Sequence, residues 1–246
     1  MTQIIILAAG KGTRMGSELP KVLVPLNGKP MIQYLIESVM ATNPQHQPIM
    51  VVSPDNKEVI SQALKMYDLD YVVQAEQLGT GHAVASARDK IKSYVENILV
   101  LYGDHPFLKT DSIKIFLSLK PESLTIMPTL LPNFSNWYHN FYNLGRIVRD
   151  DAGEIKGIVE FKDANDKEKL IKEINLGFMC FNREWLFKNI DKLKDNNKAH
   201  EFYLTDMVEI AFSEGYKIGS VIIEPREAMG INRVDELKIA EDLAKD

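Results

Sequence analysis

The stretch Ile4-Ile5-Ile6-Leu7-Ala8-Ala9-Gly10-Lys11-Gly12-Thr13-Arg14-Met15 joins a short apolar run to a basic loop that is rich in glycine. The apolar run at 4–9 ends at a glycine, which is typical of a strand buried on both faces of a parallel sheet. Glycines let backbone N–H groups approach a phosphate closely, and Arg14 and Lys21 could neutralise a polyphosphate. Met15 stands where a dinucleotide fingerprint needs glycine, and Leu23 stands where a P-loop needs its first glycine. The stretch therefore predicts a phosphate-binding loop that belongs to neither of these two types.

Strand-like and helix-like segments alternate over the first 120 residues. Strands are predicted at 4–9, 49–53, 71–74 and 98–102, and helices at 30–40, 57–67 and 81–93. This order predicts βαβ units and an α/β fold with a Rossmann-like, mostly parallel (mixed) sheet flanked by helices. Ligands bind beyond the carboxyl ends of such strands, so the polar clusters at 10–21, 74–81 and 103–106 are expected to share one face.

The pattern changes after residue 120, where the predicted elements become shorter. We expect strands at 124–130 and 174–181, a hairpin formed by 145–149 and 154–160, and helices at 204–214 and 234–244. The chain is interpreted as a single domain over 1–246, with halves at 1–120 and 121–246, of which the second is smaller and more antiparallel. The segment 132–143 is irregular and aromatic, and it fits either a packed surface loop or a lid over a site.

Composition excludes several classes of function. The 246 residues carry 29 Lys and Arg against 34 Asp and Glu, and this net charge of −5 argues against nucleic-acid binding. Cys180 is the only cysteine and is expected to be a buried thiol, so no intrachain disulfide can form. The apolar N-terminal run is too short for a signal peptide or a membrane span, which favours a cytoplasmic protein without a membrane partner. His200-Glu201 does not belong to a His-Glu-x-x-His motif and no Gly-x-Ser-x-Gly elbow is present, which argues against zinc enzymes and hydrolases.

Several motifs in a fixed order resemble one enzyme family. They are LAAGKGTRM at 7–15 followed by LPKVL at 19–23, QAEQLGTGHA at 74–83, LYGDHP at 101–106, GRIV at 145–148, IVEFKDA at 158–164, EINLGF at 173–178, FYLTDM at 202–207 and GINRVDEL at 230–237. The chain resembles the sugar-phosphate nucleotidyltransferases, and within them the uridylyltransferase (pyrophosphorylase) domain of the bifunctional bacterial N-acetylglucosamine-1-phosphate enzyme. The resemblance implies the nucleotide-diphospho-sugar transferase fold, with a nucleotide-binding half at 1–120 and a sugar-binding half at 121–246.

The resemblance also implies roles for individual residues. It assigns Arg14 and Lys21 to catalysis and Asp104 and Asn232 to Mg²⁺. The residues implied to bind substrate are Leu7, Ala9, Gly10, Gly12, Gln74, Gln77, Gly79, Thr80, Asp104, Gly145, Glu160, Asn175 and Asn232. Of these, Gln74, Gln77, Gly79 and Thr80 would bind the uridine base, and Gly145, Glu160 and Asn175 would bind the amino sugar. Lys162 and Thr205 are further candidates for neighbours of the sugar.

The implied reaction converts UTP and N-acetylglucosamine 1-phosphate into UDP-N-acetylglucosamine and pyrophosphate, with Mg²⁺ as cofactor. The same chemistry on another sugar 1-phosphate, a cytidylyltransferase and a non-catalytic nucleotide sensor remain alternatives. Leu144 and Phe202 stand where the family commonly or often has Tyr, which leaves the sugar less well defined than the nucleotide. No hexapeptide-repeat β-helix follows, so we expect no acetyltransferase activity, and a monomer or a weak oligomer.

Overall fold

The computed structural model describes residues 1–10, 12 and 15–245. Arg14, for which the resemblance implies a catalytic role, lies outside the described residues, as do Lys11, Thr13 and Asp246. Within the described part of the chain, the largest sheet has seven strands in the order β13-β7-β12-β6-β1-β4-β5. Its strands are β1 (Thr2–Leu7), β4 (Ile49–Val52), β5 (Asp70–Val73), β6 (Asn97–Tyr102), β7 (Leu124–Ile126), β12 (Met179–Asn182) and β13 (Gly219–Ser220).

The first four of these strands, β1, β4, β5 and β6, form a parallel block, as the alternating sequence pattern predicts. β1 lies between β4 and β6, and both pairings are parallel. All six residues of β1 are buried. Ile4 and Ile6 pack with residues of one helix, at 31–40, and Ile5 and Leu7 pack with residues of another, at 80–86, so helices cover both faces of this block. β12 enters next to β6 in the antiparallel direction, so the sheet is mixed. The mostly parallel, mixed α/β fold predicted from the sequence is confirmed.

Seven α-helices are found among the described residues. They are α1 (Met31–Met40), α2 (Lys57–Ala63), α3 (Thr80–Ser86), α4 (Thr110–Ser118), α5 (Arg183–Asn189), α6 (Met207–Ser213) and α7 (Val234–Leu243). α1 is amphipathic, and its residues Ile32, Leu35, Ile36 and Val39 are fully buried against the sheet. Within the described chain, no helix is both long and apolar enough to span a membrane.

A second, antiparallel sheet of four strands in the order β10-β9-β11-β8 lies in the later part of the chain. It consists of β8 (Thr129–Leu130), β9 (Arg146–Arg149), β10 (Ile155–Val159) and β11 (Glu173–Ile174), and β2 (Pro25–Leu26) pairs separately with β3 (Lys29–Pro30). The predicted hairpin corresponds to β9 and β10. The single strands predicted at 124–130 and 174–181 are wrong, because each region divides between the two sheets. Pro128 separates β7 from β8, and Gly177, with φ of +81°, separates β11 from β12.

The central sheet also contains the one cysteine of the chain. Cys180 lies on β12 opposite Leu99 of β6 and is fully buried, as predicted. Burial raises the pKa of the Cys180 thiol to about 12.

Candidate functional site

A cavity of about 280 Å³ opens at the carboxyl edge of the parallel strands. The polar clusters that follow β1, β5 and β6 all contribute to its wall, as the strand order predicts. The residues that line it are Leu7, Ala8, Ala9, Gly10, Lys21, Val22, Gln74, Gln77, Gly79, Thr80, Ala83, Tyr102, Asp104, Glu201 and Asn232.

A lysine, an aspartate and an asparagine meet at one end of the cavity. The Lys21 ammonium donates to Asp104 Oδ2 at 2.7 Å and to Asn232 Oδ1 at 2.8 Å. Asp104 follows the end of β6, and its carbonyl accepts a hydrogen bond from Ile231 N at 2.9 Å, which holds the loop before α7 in place. Burial of Asp104 opposes its ionisation, but Lys21 and His105 lower the pKa of this carboxyl well below its usual range. The aspartate is therefore an anion that has a cation in direct contact.

The donor atoms of this cluster fit a magnesium ion. The oxygens of Asp104 and Asn232 already converge on one positive charge, the Lys21 ammonium. No group of three or more His, Cys, Asp or Glu side chains that could hold a metal occurs in the described part of the chain. One carboxylate and one amide oxygen suit Mg²⁺, which keeps several waters and completes its shell with substrate phosphates.

Two glutamines lie at another part of the cavity wall. Gln74 is buried at the end of β5, and its Nε2 donates to the Gly79 carbonyl at 3.0 Å and contacts His82 Nδ1 at 3.1 Å. Gln77 Nε2 donates to the Ala9 carbonyl at 3.2 Å, which ties the loop after β5 to the loop after β1.

Gly79 shapes the turn between the glutamines and α3. Its φ is +109°, and a Cβ at this position would lie 2.7 Å from the carbonyl oxygen of Phe202. Phe202 N donates to the Leu78 carbonyl and Gly81 N to the Phe202 carbonyl, both at 2.8 Å. This close approach of two backbones requires glycine at position 79.

Tyr102, the last residue of β6, lines the cavity as well. Its hydroxyl shares a hydrogen bond with Thr80, and burial raises its pKa, with smaller contributions from Asp104 and Glu160. Burial also raises the pKa of Glu160, whose Oε1 accepts from Thr205 Oγ1 at 3.5 Å. Tyr102 is thus a neutral phenol beside a buried carboxyl group.

The three predicted sugar-binding residues lie close to one another. A Cβ on Gly145 would come within 3.3 Å of Glu160 Oε1, and Asn175 N donates to the Gly145 carbonyl at 2.9 Å. Asn175 lines a smaller cavity of about 80 Å³, which shares Asn232 with the larger one. Lys162 is exposed and does not line the larger cavity.

Most of the residues implied by the resemblance thus lie together. Gly12 does not line the larger cavity but packs on Lys21, where a Cβ would lie 2.5 Å from Lys21 Cβ. The sequence interpretation missed Tyr102 and Glu201, both of which line the cavity. Tyr102 could have been found, because it is the last residue of a strand that ends at the predicted face. Glu201 follows no strand, and the contact of the adjacent Phe202 with the loop before α3 brings it there.

The fold and this site define the chain as a nucleotidyltransferase. A family model, the MobA-like NTP transferase domain, matches residues 4–138, more than half of the chain. The chain belongs to this family. The predicted relationship to the bifunctional uridylyltransferase is also confirmed by curated relatives that carry the name bifunctional protein GlmU.

Three of these relatives show how far the similarity extends. The protein of Desulfotalea psychrophila is 38% identical over 243 residues, which cover 97% of this chain and 69% of that protein. Those of Caldicellulosiruptor saccharolyticus and Clostridium novyi are 39% and 36% identical over 98% of this chain, but over only 51% and 52% of their own lengths. The chain therefore spans between about half and two thirds of these relatives.

Solved structures share the fold at low sequence identity. A Bacillus anthracis protein named as a glucose-1-phosphate thymidylyltransferase superposes with a TM-score of 0.77 at 18% identity, over 100% of this chain and 96% of that one. A 4-diphosphocytidyl-2C-methyl-D-erythritol synthase from Anaerococcus prevotii superposes with a TM-score of 0.69 at 17% identity. This superposition covers 100% of this chain and 99% of that one. These likenesses support the nucleotidyltransferase fold.

Proposed function

We propose that the protein transfers a uridylyl group from UTP to N-acetylglucosamine 1-phosphate, which yields UDP-N-acetylglucosamine and pyrophosphate. The observation that carries the proposal is one cavity that is lined both by a Lys21–Asp104–Asn232 cluster and by Gln74 and Gln77. The cluster suits a metal-bound polyphosphate, and amides with both donor and acceptor atoms suit an imide base such as uracil.

The chemistry needs no general base from the protein. A phosphate oxygen of the sugar 1-phosphate is anionic near neutral pH and attacks the α-phosphorus in line. The bond from this phosphorus to the bridging oxygen then breaks, and pyrophosphate leaves with the electron pair. The protein contributes by holding the two substrates in line and by neutralising the charge that develops.

Each charged residue has a defined part in this proposal. Lys21 would stabilise charge on the transferring phosphoryl group, and Arg14 would hold the departing phosphates. Asp104 and Asn232 would hold Mg²⁺, which when bound neutralises the phosphate oxygens. Glu160, Asn175 and the backbone at Gly145 would orient the sugar hydroxyl and acetamido groups.

Measurement of pyrophosphate release tests the proposal directly. UTP, CTP, ATP and GTP would each be combined with Mg²⁺ and a panel of sugar 1-phosphates with and without the N-acetyl group. We expect the highest kcat/KM with UTP and N-acetylglucosamine 1-phosphate and no release without Mg²⁺. Activity with another sugar alone would keep the chemistry and reject this sugar. No release with any pair would favour a non-catalytic nucleotide sensor.

We also propose the partners and the location of the protein. We propose small-molecule substrates only, no nucleic-acid or membrane partner, and a monomeric or weakly associating chain. A cytoplasmic location is proposed because the reaction consumes a nucleoside triphosphate.

A further inference from the structure

We propose that His82 is a positioning residue that fixes the amide of Gln74 so that its oxygen faces the base, and that His82 thereby favours uracil over cytosine. This inference rests on the proposed function. His82 lies in the first turn of α3, eight residues after Gln74, and its side chain contacts the glutamine from the side of the helix.

The orientation of the Gln74 amide follows from its neighbours. Gln74 is only 3% exposed, and the atom nearest the Gly79 carbonyl oxygen lies 3.0 Å from it. A carbonyl oxygen can only accept, so the amide must present its nitrogen there. Among the described residues, Gln74 Oε1 has no hydrogen-bond partner, and Gln74 lines the cavity.

The same nitrogen determines which tautomer the neutral ring of His82 adopts. Gln74 Nε2 lies 3.1 Å from His82 Nδ1, and an amide nitrogen only donates. Nδ1 must therefore carry a lone pair, and the ring proton of the neutral imidazole lies on Nε2. Both hydrogens of the Gln74 amide then have acceptors, one on Gly79 and one on His82.

A fixed amide oxygen discriminates between pyrimidines. Uracil carries a hydrogen at N3, which an amide oxygen can accept, whereas cytosine carries a lone pair at N3. Cytosine would need the Gln74 amide turned over, which would bring its oxygen against the Gly79 carbonyl and would require the ring proton of His82 to move from Nε2 to Nδ1. Loss of the His82 acceptor lowers the free energy needed to turn the amide by about one hydrogen bond. This corresponds to a roughly tenfold gain in affinity for a cytosine nucleotide relative to a uracil nucleotide.

Two substitutions of His82 distinguish the effect of losing the hydrogen-bond acceptor from the effect of losing the imidazole ring. His82→Leu removes the acceptor, and His82→Asn retains one, because an Asn side-chain oxygen can take the place of Nδ1. Ser86→Ala is the matched control on the same helix, since Ser86 Oγ donates only to the His82 carbonyl, at 2.8 Å. The measured quantity is the ratio of kcat/KM for UTP to that for CTP, with N-acetylglucosamine 1-phosphate and Mg²⁺.

We expect the ratio to fall about tenfold in His82→Leu and to stay within about twofold of the wild-type value in His82→Asn and Ser86→Ala. An unchanged ratio in His82→Leu, or an equal fall in both His82 variants, would overturn the inference. A wild-type protein without preference for UTP would instead reject the uracil assignment in the proposed function, so the two failures are distinguishable.

The tautomer provides a test that needs no variant. Nitrogen NMR of the wild-type protein with labelled histidine should show His82 with a protonated Nε2 and an unprotonated Nδ1. A protonated Nδ1 in the neutral ring would overturn the inference even if His82→Leu fails to fold.

Discussion

At the residue scale, the contact of Lys21 with both Asp104 and Asn232 leads to a prediction about turnover. We expect Lys21→Ala to lower kcat by about 100-fold or more, the size of effect seen when one electrostatic group of a transition state is removed. Pyrophosphate release measures it. Lys29→Ala is the control, because Lys29 pairs with Glu37 at 2.6 Å at the surface and should keep wild-type turnover. Near-wild-type turnover of Lys21→Ala would exclude Lys21 from the mechanism.

The carboxylate of Asp104 leads to a second prediction. Asp104→Asn removes the only negative charge from the two proposed metal ligands, so the Mg²⁺ concentration that gives half-maximal rate should rise at least about tenfold. A magnesium titration of pyrophosphate release measures this midpoint, with the exposed Asp111→Asn as the control. An unchanged titration in Asp104→Asn would contradict the metal assignment.

Asp206 leads to a prediction about pH and stability. Burial, followed by the nearby Glu209, raises the pKa of Asp206 from 3.8 to about 6. The folded state therefore disfavours the ionised form, and this destabilisation appears as the pH rises from about 4 through 6. Asp206→Asn should raise the melting temperature at pH 8 and change it far less at pH 3.5, where the folded state is protonated and the unfolded state, with a pKa of 3.8, is mostly protonated. Thermal unfolding followed by circular dichroism measures the melting temperature of both proteins at both pH values. An equal difference in melting temperature at pH 8 and at pH 3.5 would contradict the raised pKa of Asp206.

Residue types and their positions after strands were sufficient to predict Lys21, Asp104 and the glutamines, because carboxyl ends of parallel strands meet at one edge. The contacts between these groups could not be predicted, since they depend on distances that spacing does not encode. Lys21 and Asn232 lie at opposite ends of the chain and meet only through the packing of the loop before α7.

At the scale of elements, the aromatic segment 132–143 is organised around a buried arginine. A short 3₁₀ helix, Asn136–Phe141, forms its centre. Arg146 is fully buried, donates to the carbonyls of Tyr142 and Leu144, and lies between 5.1 and 5.7 Å from the ring centroids of Phe134, Tyr142 and Phe161. No carboxylate pairs with it among the described residues. Arg146 therefore holds both flanks of the segment that precedes Gly145, and this packing fits the interpretation as a packed loop.

This arrangement predicts the effect of replacing Arg146. A lysine keeps the charge but cannot reach several carbonyls at once, so Arg146→Lys should lose about 1–2 kcal/mol of stability. Because the segment leads into Gly145, the KM for the sugar phosphate should rise about tenfold while the KM for UTP stays within about twofold. Steady-state kinetics measures the two KM values and thermal unfolding measures the stability. Arg149→Lys on the same strand, which loses a bidentate pair with Glu173, is the control for the KM values and should leave both unchanged. Equal changes in both KM values would contradict a role specific to the sugar side.

Element boundaries show what the sequence pattern can and cannot predict. Buried parallel strands were found because they are long apolar runs bounded by polar residues. The regions 124–130 and 174–181 are also largely apolar, yet each crosses from one sheet to the other. Both sheets bury apolar side chains, so hydrophobicity alone does not mark the crossing, and only Pro128 and Gly177 indicate it.

At the scale of the whole molecule, one cavity is built from loops that lie up to about 220 residues apart in sequence, and ligand binding should therefore stabilise the entire fold. At a concentration of 100 times its Kd, UTP with Mg²⁺ should add about 2.7 kcal/mol to the free energy of unfolding. For a chain of this size, this corresponds to roughly 5–11 °C in melting temperature. Differential scanning fluorimetry measures the shift, with Lys21→Ala as the variant that should show a smaller one. A larger shift with CTP than with UTP would contradict the proposed base.

The position of β12 between β6 and β7 has a consequence for synthesis of the chain. β6 pairs with β1 on one side, but its other side pairs with a strand that follows roughly 80 residues later, which translation at ~5–20 residues per second delivers after about 4–16 seconds. Until then the newly made sheet has an unpaired, apolar edge, which is the kind of edge that chaperones bind and that aggregation begins from. We therefore expect the synthesis of β12 to limit the rate at which the central sheet is completed. Codons that slow the ribosome between residues 103 and 178 would lengthen the time during which β6 has an unpaired edge.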